Sequence, residues 1–325
     1  MLLVSRPGEM SLSMLDILIL GGTRLLGPPL VQKLSNARHR IAISSRTAQA
    51  QSLPPNVVAR PGERSDPAHI ASLFNEKTYD VVIDNLAYDG DVINNTIQPW
   101  TGRIGLYILT STAWVYLVLP RRQDPFREND LPSTASAVDI DPSRCGVPEM
   151  TRSYVRGKRL AEQAAAQLAC PVQICRPCMF TGAGDHNGRI HWFVDRLSEG
   201  IFGCDDSVLP FQLAWVDDVA EAIVRMAEEV RPHLSCRNVA PAETVTIEKL
   251  FRWVAMGTGR PLPHDESGMP RCGDHPFLFT GDMYMNGRGI VTAHPGFRYT
   301  PAQEWVPRVA YDIQRAHPEV FCKPE

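Results

Sequence analysis

Charge of one sign is scarce in this chain of 325 residues: 33 Lys and Arg stand against 36 Asp and Glu, for a formal net charge of −3. No global field therefore draws it to nucleic acid or to an anionic membrane, and the expected partner is a small molecule, with no nucleic-acid and no membrane partner. Metal-ligand spacing is missing too. The eight cysteines are scattered, and Cys175 and Cys178 have no second Cys pair or His pattern to complete a tetrahedral site, so no metal is expected. They read as small buried hydrophobes with reduced thiols, which implies a cytoplasmic location. The uncharged stretch Ile104–Pro120 covers 17 residues, short of the roughly 20 a spanning helix needs. Its Thr110, Ser111 and Thr112 and its β-branched and aromatic character predict a buried strand and an apolar pocket wall. Met1–Ser13 is too poor in apolar residues for a signal peptide and is expected to be a flexible leader. No internal repeat is visible.

What the chain does have is Tyr154 and Lys158 in Ser-Tyr-Val-Arg-Gly-Lys-Arg-Leu-Ala-Glu. Spacing of four on a helix puts both side chains on one face, where an ammonium favours the phenolate. A tyrosine drawn toward neutral pKa is a proton-transfer group. Ala161, Ala164, Ala165 and Ala166 support the helix, and Gly157 is its one poor helix former up to Leu168.

Upstream, Leu15–Leu20 is an apolar run of the length of a buried parallel strand. It leads into Gly21-Gly22-Thr23-Arg24-Leu25-Leu26-Gly27 and then an apolar helical pattern through Leu34. A strand, turn and helix N-terminus of this kind cradles a pyrophosphate through backbone N–H groups, with Gly27 allowing close packing of helix on strand. The turn lies roughly 130 residues before the Tyr/Lys pair, with a Ser/Thr-rich strand end between them.

With these motifs in this order, the chain resembles the extended and atypical short-chain dehydrogenase/reductase superfamily, which contains the NAD-dependent epimerase/dehydratase enzymes. The resemblance runs from about Leu15 to Asp312. It takes in Tyr79–Asp84 as a fourth strand, Leu109–Tyr116 as a fifth, Arg176-Pro177, Gly182-Ala183-Gly184-Asp185, and Trp215–Ala220. It implies an α/β fold, a Rossmann-type doubly wound parallel sheet with a smaller C-terminal substrate-binding lobe. Expected boundaries are 14–178 with 211–240 for the dinucleotide-binding part, and 179–210 with 241–325 for the substrate lobe. Residues 120–148, rich in Pro, Arg, Asp and Ser and without periodicity, are expected to form a mobile flap.

The resemblance implies an NAD(P)-dependent oxidoreductase or epimerase acting on a hydroxyl or ketone carbon of a sugar-like substrate, either free or nucleotide-linked as in nucleotide sugars. Thr112 would orient the reacting oxygen, Tyr154 would move its proton, and Lys158 would hold the cofactor ribose. Gly21, Thr23, Arg24, Leu25, Leu26, Gly27, Ser45, Arg46, Glu63, Asn85, Leu86 and Ala87 would line the cofactor. Ser111, Trp114, Arg189 and Arg288 would contact substrate, and relatives of this kind pair into homodimers. NADP is expected over NAD, because Ile41-Ala42-Ile43 ends in Ser44-Ser45-Arg46 with no carboxylate to accept from the adenosine ribose.

Four departures stand out. Arg24 replaces the middle glycine of the usual turn, as in an atypical branch that includes chloroplast RNA-associated proteins, and this opens an alternative reading as a cofactor-binding scaffold with an RNA- or protein-interaction role. Met179 stands where nucleotide-sugar enzymes carry Asn, and Leu117 where Gly follows Val-Tyr. Ala113-Trp114 follows Thr112 in place of the Asp-Glu of sugar-nucleotide dehydratases, which removes the proton carriers of that elimination.

Overall fold

Asp16–Leu20 forms strand β1 and is packed on both faces, as its unbroken apolar run requires. The computed structural model describes residues 14–47, 53–75, 77–144, 146–202, 210–229, 233–260, 262, 277 and 283–316. The expected leader, residues 1–13, lies outside the described residues. After β1 the chain alternates strand and helix: α1 (Gly27–Asn36), β2 (Arg40–Ser45), β3 (Val57–Pro61), α2 (Pro67–Phe74), β4 (Val81–Asp84), α3 (Gly90–Thr96) and β5 (Tyr107–Thr110). Helix α4 (Glu149–Ala165) and strand β6 (Val172–Pro177) follow, then β7 (Met179–Thr181), α5 (Arg189–Ser198), β8 (Leu213–Trp215), α6 (Val216–Glu228) and β9 (Leu234–Val239). Three helices close the chain: α7 (Ile247–Thr258), α8 (Arg288–Ala293) and α9 (Ala302–Ala316).

Seven strands make one parallel sheet in the order β3-β2-β1-β4-β5-β6-β9, and β7 pairs with β8 in a separate parallel pair. The order reverses between β1 and β4, so the crevice for a ligand opens at the C-terminal ends of those strands. One face of the sheet packs against α1 and α6 through Leu30, Val31, Leu34, Val219 and Ile223; the other buries Ile70, Phe74, Ile93 and Ala161 from α2, α3 and α4. A third core joins α5, α7 and α9 around Phe193, Phe251 and Trp305. This is the Rossmann-type α/β fold expected from the alternating pattern. Among the described residues no helix is long and apolar enough to cross a membrane.

Local expectations fare unevenly. Asp66 caps α2 by accepting from the Ala68 N–H at 2.9 Å, and Pro67 occupies its first turn. The fifth strand is shorter than expected: β5 stops at Thr110, and Ala113–Val118 winds into a 3₁₀ helix whose N-cap is Thr112. The β-branched run predicted extension, but burial of Val115, Tyr116 and Leu117 on a tight turn prevails over propensity. The segment expected to be a loose flap is fastened along its length. Phe126 is buried and exchanges backbone bonds with Tyr284 and Asn286, and Arg144 is buried with its Nε on the Leu119 carbonyl at 2.9 Å.

Candidate active site

Helix α4 carries Tyr154 and Lys158 toward the C-terminal ends of β4 and β5. Two glycines make this close approach possible: a Cβ on Gly157 would strike the Tyr88 carbonyl oxygen, and one on Gly90 would meet the Leu160 carbonyl oxygen at 2.8 Å. Lys158 is buried, and its Nζ donates to the carbonyls of Ala87 and Thr110, each at 2.9 Å. The same nitrogen lies 4.4 Å from the Tyr88 ring centroid. Burial draws its pKa down to about 8, against the opposing pull of the Asp84 and Glu162 carboxylates.

Tyr154 meets Trp114 edge to face at 6.1 Å and Tyr88 at a tilt at 6.2 Å between ring centroids. Burial pushes its phenol up to about 12, with Tyr88 adding to the rise and the Thr112 hydrogen bond and the Arg189 charge pulling down. The expectation of a phenol drawn toward neutrality by Lys158 is thus corrected. The ammonium spends its N–H groups on two carbonyls and stands 6.0 Å from the Tyr154 ring centroid, so desolvation prevails. The expected partner that does bond Tyr154 is Thr112.

The Gly-rich turn sits beside this pair. Gly21 has φ +90°, and a Cβ there would meet the Leu86 side chain at 2.6 Å. Leu25 holds φ 37°, a left-handed conformation rare for a branched side chain and typical of turns under functional constraint. A Cβ on Gly27 would strike the Gly22 carbonyl, so the first turn of α1 packs directly on the strand end. The turn thus brings the start of α1 directly against the end of β1. Thr23 Oγ1 bonds Ser45 Oγ at 3.0 Å, and Gly21 N donates to the Ser44 carbonyl at 2.8 Å. Asn85 bridges both sides, accepting from Thr110 Oγ1 at 2.7 Å and donating to the Gly21 carbonyl at 3.3 Å. The turn, the 85–87 segment and Lys158 thus converge.

Other expected residues lie apart from that convergence. Arg46 is largely exposed and faces Glu63 at 3.7 Å. Within the converging turn itself, the Arg24 carbonyl accepts from Gly27 N at 2.8 Å, and Leu26 is the N-cap of α1. Ser111 is buried, and its hydroxyl donates to Glu162 Oε1 at 2.6 Å, so it is committed inward. Arg189 opens α5, pairs with Asp185 at 2.9 Å, and is near enough for its charge to act on Tyr154. Arg288 is exposed at the start of α8, next to Gly289, whose Cβ position faces Glu128.

Two buried ion networks under the site escaped the reading of the sequence. Glu162 is buried with Arg159 and Arg176, and Arg176 contacts it through Nε at 2.8 Å and a terminal nitrogen at 2.7 Å. Further donors of the two arginines go to the carbonyls of Leu131, Pro132, Ala135 and Ala137, which fastens the 120–148 segment to α4 and β6, and one Arg176 terminal nitrogen donates to the Tyr116 hydroxyl at 3.0 Å. Asp84 is buried at the end of β4 with Arg64 and accepts from the Tyr107 hydroxyl at 2.8 Å. Both carboxylates stay ionised, pulled below their ordinary pKa by these arginines despite burial. Glu162 was the findable one, because it follows Lys158 by four residues on the same helix face.

No protein-family model matches the chain. Solved structures do. WbmH of Bordetella bronchiseptica in complex with NAD+ superposes with a TM-score of 0.69 at 20% identity, over 93% of this chain and 99% of that one. The dTDP-glucose 4,6-dehydratase of Bacillus anthracis in complex with NAD gives 0.72 at 15% identity, over 94% and 98%. This is the fold of the epimerases and dehydratases of sugar nucleotides. UDP-glucose 4-epimerase of Thermotoga maritima, with UDP-glucose, has that fold too, at a TM-score of 0.69 and 14% identity over 92% of this chain and 99% of that one. Among curated proteins, the chloroplast stem-loop binding protein of 41 kDa b of Arabidopsis thaliana is 23% identical over 262 residues, 76% of this chain. The matched region spans 64% of that relative's length.

Proposed function

We propose that this protein is a dinucleotide-dependent oxidoreductase or epimerase of the short-chain dehydrogenase/reductase kind, acting at a hydroxyl or ketone carbon of a sugar-like substrate. The observation that carries this reading is Lys158, fixed between the Ala87 and Thr110 carbonyls beside the Gly21–Gly27 turn, one helical turn from Tyr154 and its Thr112 bond. The residues fit a dinucleotide. The turn would hold its pyrophosphate, Lys158 its ribose, and Glu63 its adenine. When bound, the nicotinamide supplies the hydride acceptor or donor.

Thr112 orients the substrate oxygen, and Tyr154 exchanges that oxygen's proton. With its phenol near 12, Tyr154 is protonated at neutral pH and is set to give a proton to a carbonyl oxygen as that carbon receives hydride. Elimination is disfavoured, since Ala113 and Trp114 offer no general acid or base after Thr112. Boundaries at 14–178 with 211–240 and at 179–210 with 241–325 would divide cofactor from substrate binding. Arg288 would reach substrate only from the C-terminal side. A homodimer through α4 is consistent with Met150, which is 83% exposed at the start of that helix.

Arg46 and the absence of a carboxylate at the end of β2 favour NADP, while WbmH and the dTDP-glucose 4,6-dehydratase are among several solved neighbours that are NAD complexes. Titration with both oxidised cofactors, alongside Arg46→Ala, decides between them. The proposal as a whole is tested by Tyr154→Phe. This variant should bind the dinucleotide as the parent does, while turnover with a nucleotide-sugar panel falls about 10²- to 10⁴-fold. Turnover undiminished in Tyr154→Phe would sink it. The likeness to the chloroplast stem-loop binding protein favours a second reading, a cofactor-binding scaffold that engages RNA. Stem-loop RNA binding without any nucleotide-sugar turnover would support that reading instead.

A further inference from the structure

We infer that the rings of Tyr88 and Trp114 receive a flat apolar face of the substrate, an aryl ring or the C–H face of a pyranose, beside the carbon that reacts. This rests on the oxidoreductase reading above and adds the chemistry of the substrate to it. Two ring contacts place both residues at the reacting group. Tyr154 meets Trp114 at 6.1 Å and Tyr88 at 6.2 Å between ring centroids, so it is the ring that the two share. Trp114 belongs to the turn that Thr112 caps, its backbone N–H donating to Thr112 Oγ1 at 3.3 Å, and it packs on the central core yet is only half-buried. Tyr88 is 53% exposed. Its place is fixed nonetheless, because the Lys158 ammonium lies 4.4 Å from the ring centroid and Gly157 lies close beneath its carbonyl.

A ring more than half open to solvent adds little to the core, and the face it keeps is apolar and held by the cation beside it. Neighbouring polar side chains are turned elsewhere. Ser111 donates inward to Glu162 at 2.6 Å, and Lys158 gives N–H groups to the carbonyls of Ala87 and Thr110. A hydroxyl-bearing edge of a ligand set against Tyr88 and Trp114 would exchange water for ring carbon, which is unfavourable, whereas a C–H or aryl face gains contact with both rings without that loss. The hydroxyls of Tyr154 and Thr112 then serve the one oxygen on the reacting carbon. No third ring touches Tyr154 among the described residues, which makes these two the pair to test.

The test is ligand-observed NMR titration of the full-length protein, with and without saturating oxidised dinucleotide, using acetophenone, methyl β-D-galactopyranoside and glycerol as probes. The parent should bind acetophenone or the galactoside more tightly than glycerol, which has hydroxyls but no flat face. Tyr88→Ala and Trp114→Ala should each weaken that probe about three- to tenfold, and Tyr88→Phe, which keeps the ring, should bind it as the parent does. Binding of acetophenone alone identifies an aryl ring, and binding of the galactoside alone a pyranose face. Failure of both to bind the parent, no preference over glycerol, or unchanged affinity in Tyr88→Ala overturns the assignment. Equal losses in Tyr88→Phe and Tyr88→Ala overturn it too, since the hydroxyl and not the ring would then make the contact. If Trp114→Ala does not fold, Trp114→Leu keeps apolar bulk for the core without the ring, and unchanged affinity there counts equally against it. Dinucleotide titration of the same samples separates the failures. A parent that binds no dinucleotide removes the oxidoreductase reading and this assignment with it, whereas a parent that binds dinucleotide but neither apolar probe removes only the role of the two rings. Loss of dinucleotide and probe affinity in step in Tyr88→Ala would give that ring to the cofactor and overturn its role toward substrate.

Discussion

Lys158 Nζ donates to the carbonyl of Thr110 at 2.9 Å, so helix α4 is tied to the C-terminal end of β5 through the one amine that would also meet the cofactor. That bond makes the ammonium a structural member and a working group together, and the two roles respond to pH in opposite ways.

Lys158 has its pKa lowered from the usual 10.5 to about 8 by burial. Between those values the unfolded chain binds more protons than the folded one, so this group makes stability rise with pH across that window. Dinucleotide affinity should instead fall as pH climbs through about 8, because the ribose contact loses its charge. Melting temperature and affinity measured from pH 7 to 10 should diverge, and Lys158→Met should flatten both contributions. Parallel trends in the parent would contradict the assignment.

Gly157→Ala offers a sharp contrast between propensity and packing. On an exposed helix the change would stabilise by about 1 kcal/mol. Here the added methyl meets the Tyr88 carbonyl, so α4 must move away from the end of β4. The expected result is a lower melting temperature with weakened dinucleotide binding, and a more stable variant would show that the approach of α4 is not close.

Ser111 and Glu162 should separate by magnitude. Ser111→Ala removes a single hydroxyl from the ionised carboxylate and should cost about 1.5 to 3 kcal/mol in denaturant unfolding while leaving turnover near that of the parent. Glu162→Ala strands Arg159 and Arg176 in the interior and should cost about 3 to 5 kcal/mol, with faster proteolysis of residues 120–148. Similar small losses from both would mean that the arginines find other acceptors.

Asp218 ties α6 to the residues that lead into α9. It sits in the first turn of α6 but bonds across the fold, accepting from Thr300 N at 2.7 Å and Thr300 Oγ1 at 3.0 Å. Burial raises its pKa from 3.8 to about 6. Over that interval the folded state binds the extra proton, so its contribution makes stability decline as pH rises from about 4 to about 6. Asp218→Asn should remove this slope, and a stability profile identical in parent and variant would refute it.

The fold was legible because its strands are apolar runs bounded by turns, and the motifs follow one another in the order that a doubly wound sheet demands. The convergence of Gly21, Asn85 and Lys158 was legible for the same reason, since each lies at a strand end or at a fixed helical spacing from one. What escaped was set by burial, which a linear pattern does not display. Tyr154 and Lys158 stand at the expected separation, yet desolvation moves the phenol up and the amine down, where pairwise charge reasoning expected the phenol to fall. Ser111 and Thr112 are adjacent hydroxyls with similar claims on substrate. Only the position of Glu162, 51 residues later, turns Ser111 inward. Likewise the low periodicity of residues 120–148 reads as looseness, although their carbonyls are bound by arginines from α4 and β6.

The last strand of the sheet, β9, pairs with β6 across the whole crossover that builds α5 and α6. It also completes the anchorage of the fastened segment, since Asn238 accepts from the Tyr116 hydroxyl and its backbone N–H donates to Glu128. During synthesis, then, the first six strands emerge with an unpaired edge on β6 until residues 234–239 have left the ribosome. The nascent chain has a long interval in which that edge is open to wrong partners, and its competence to bind ligand arrives late and all at once.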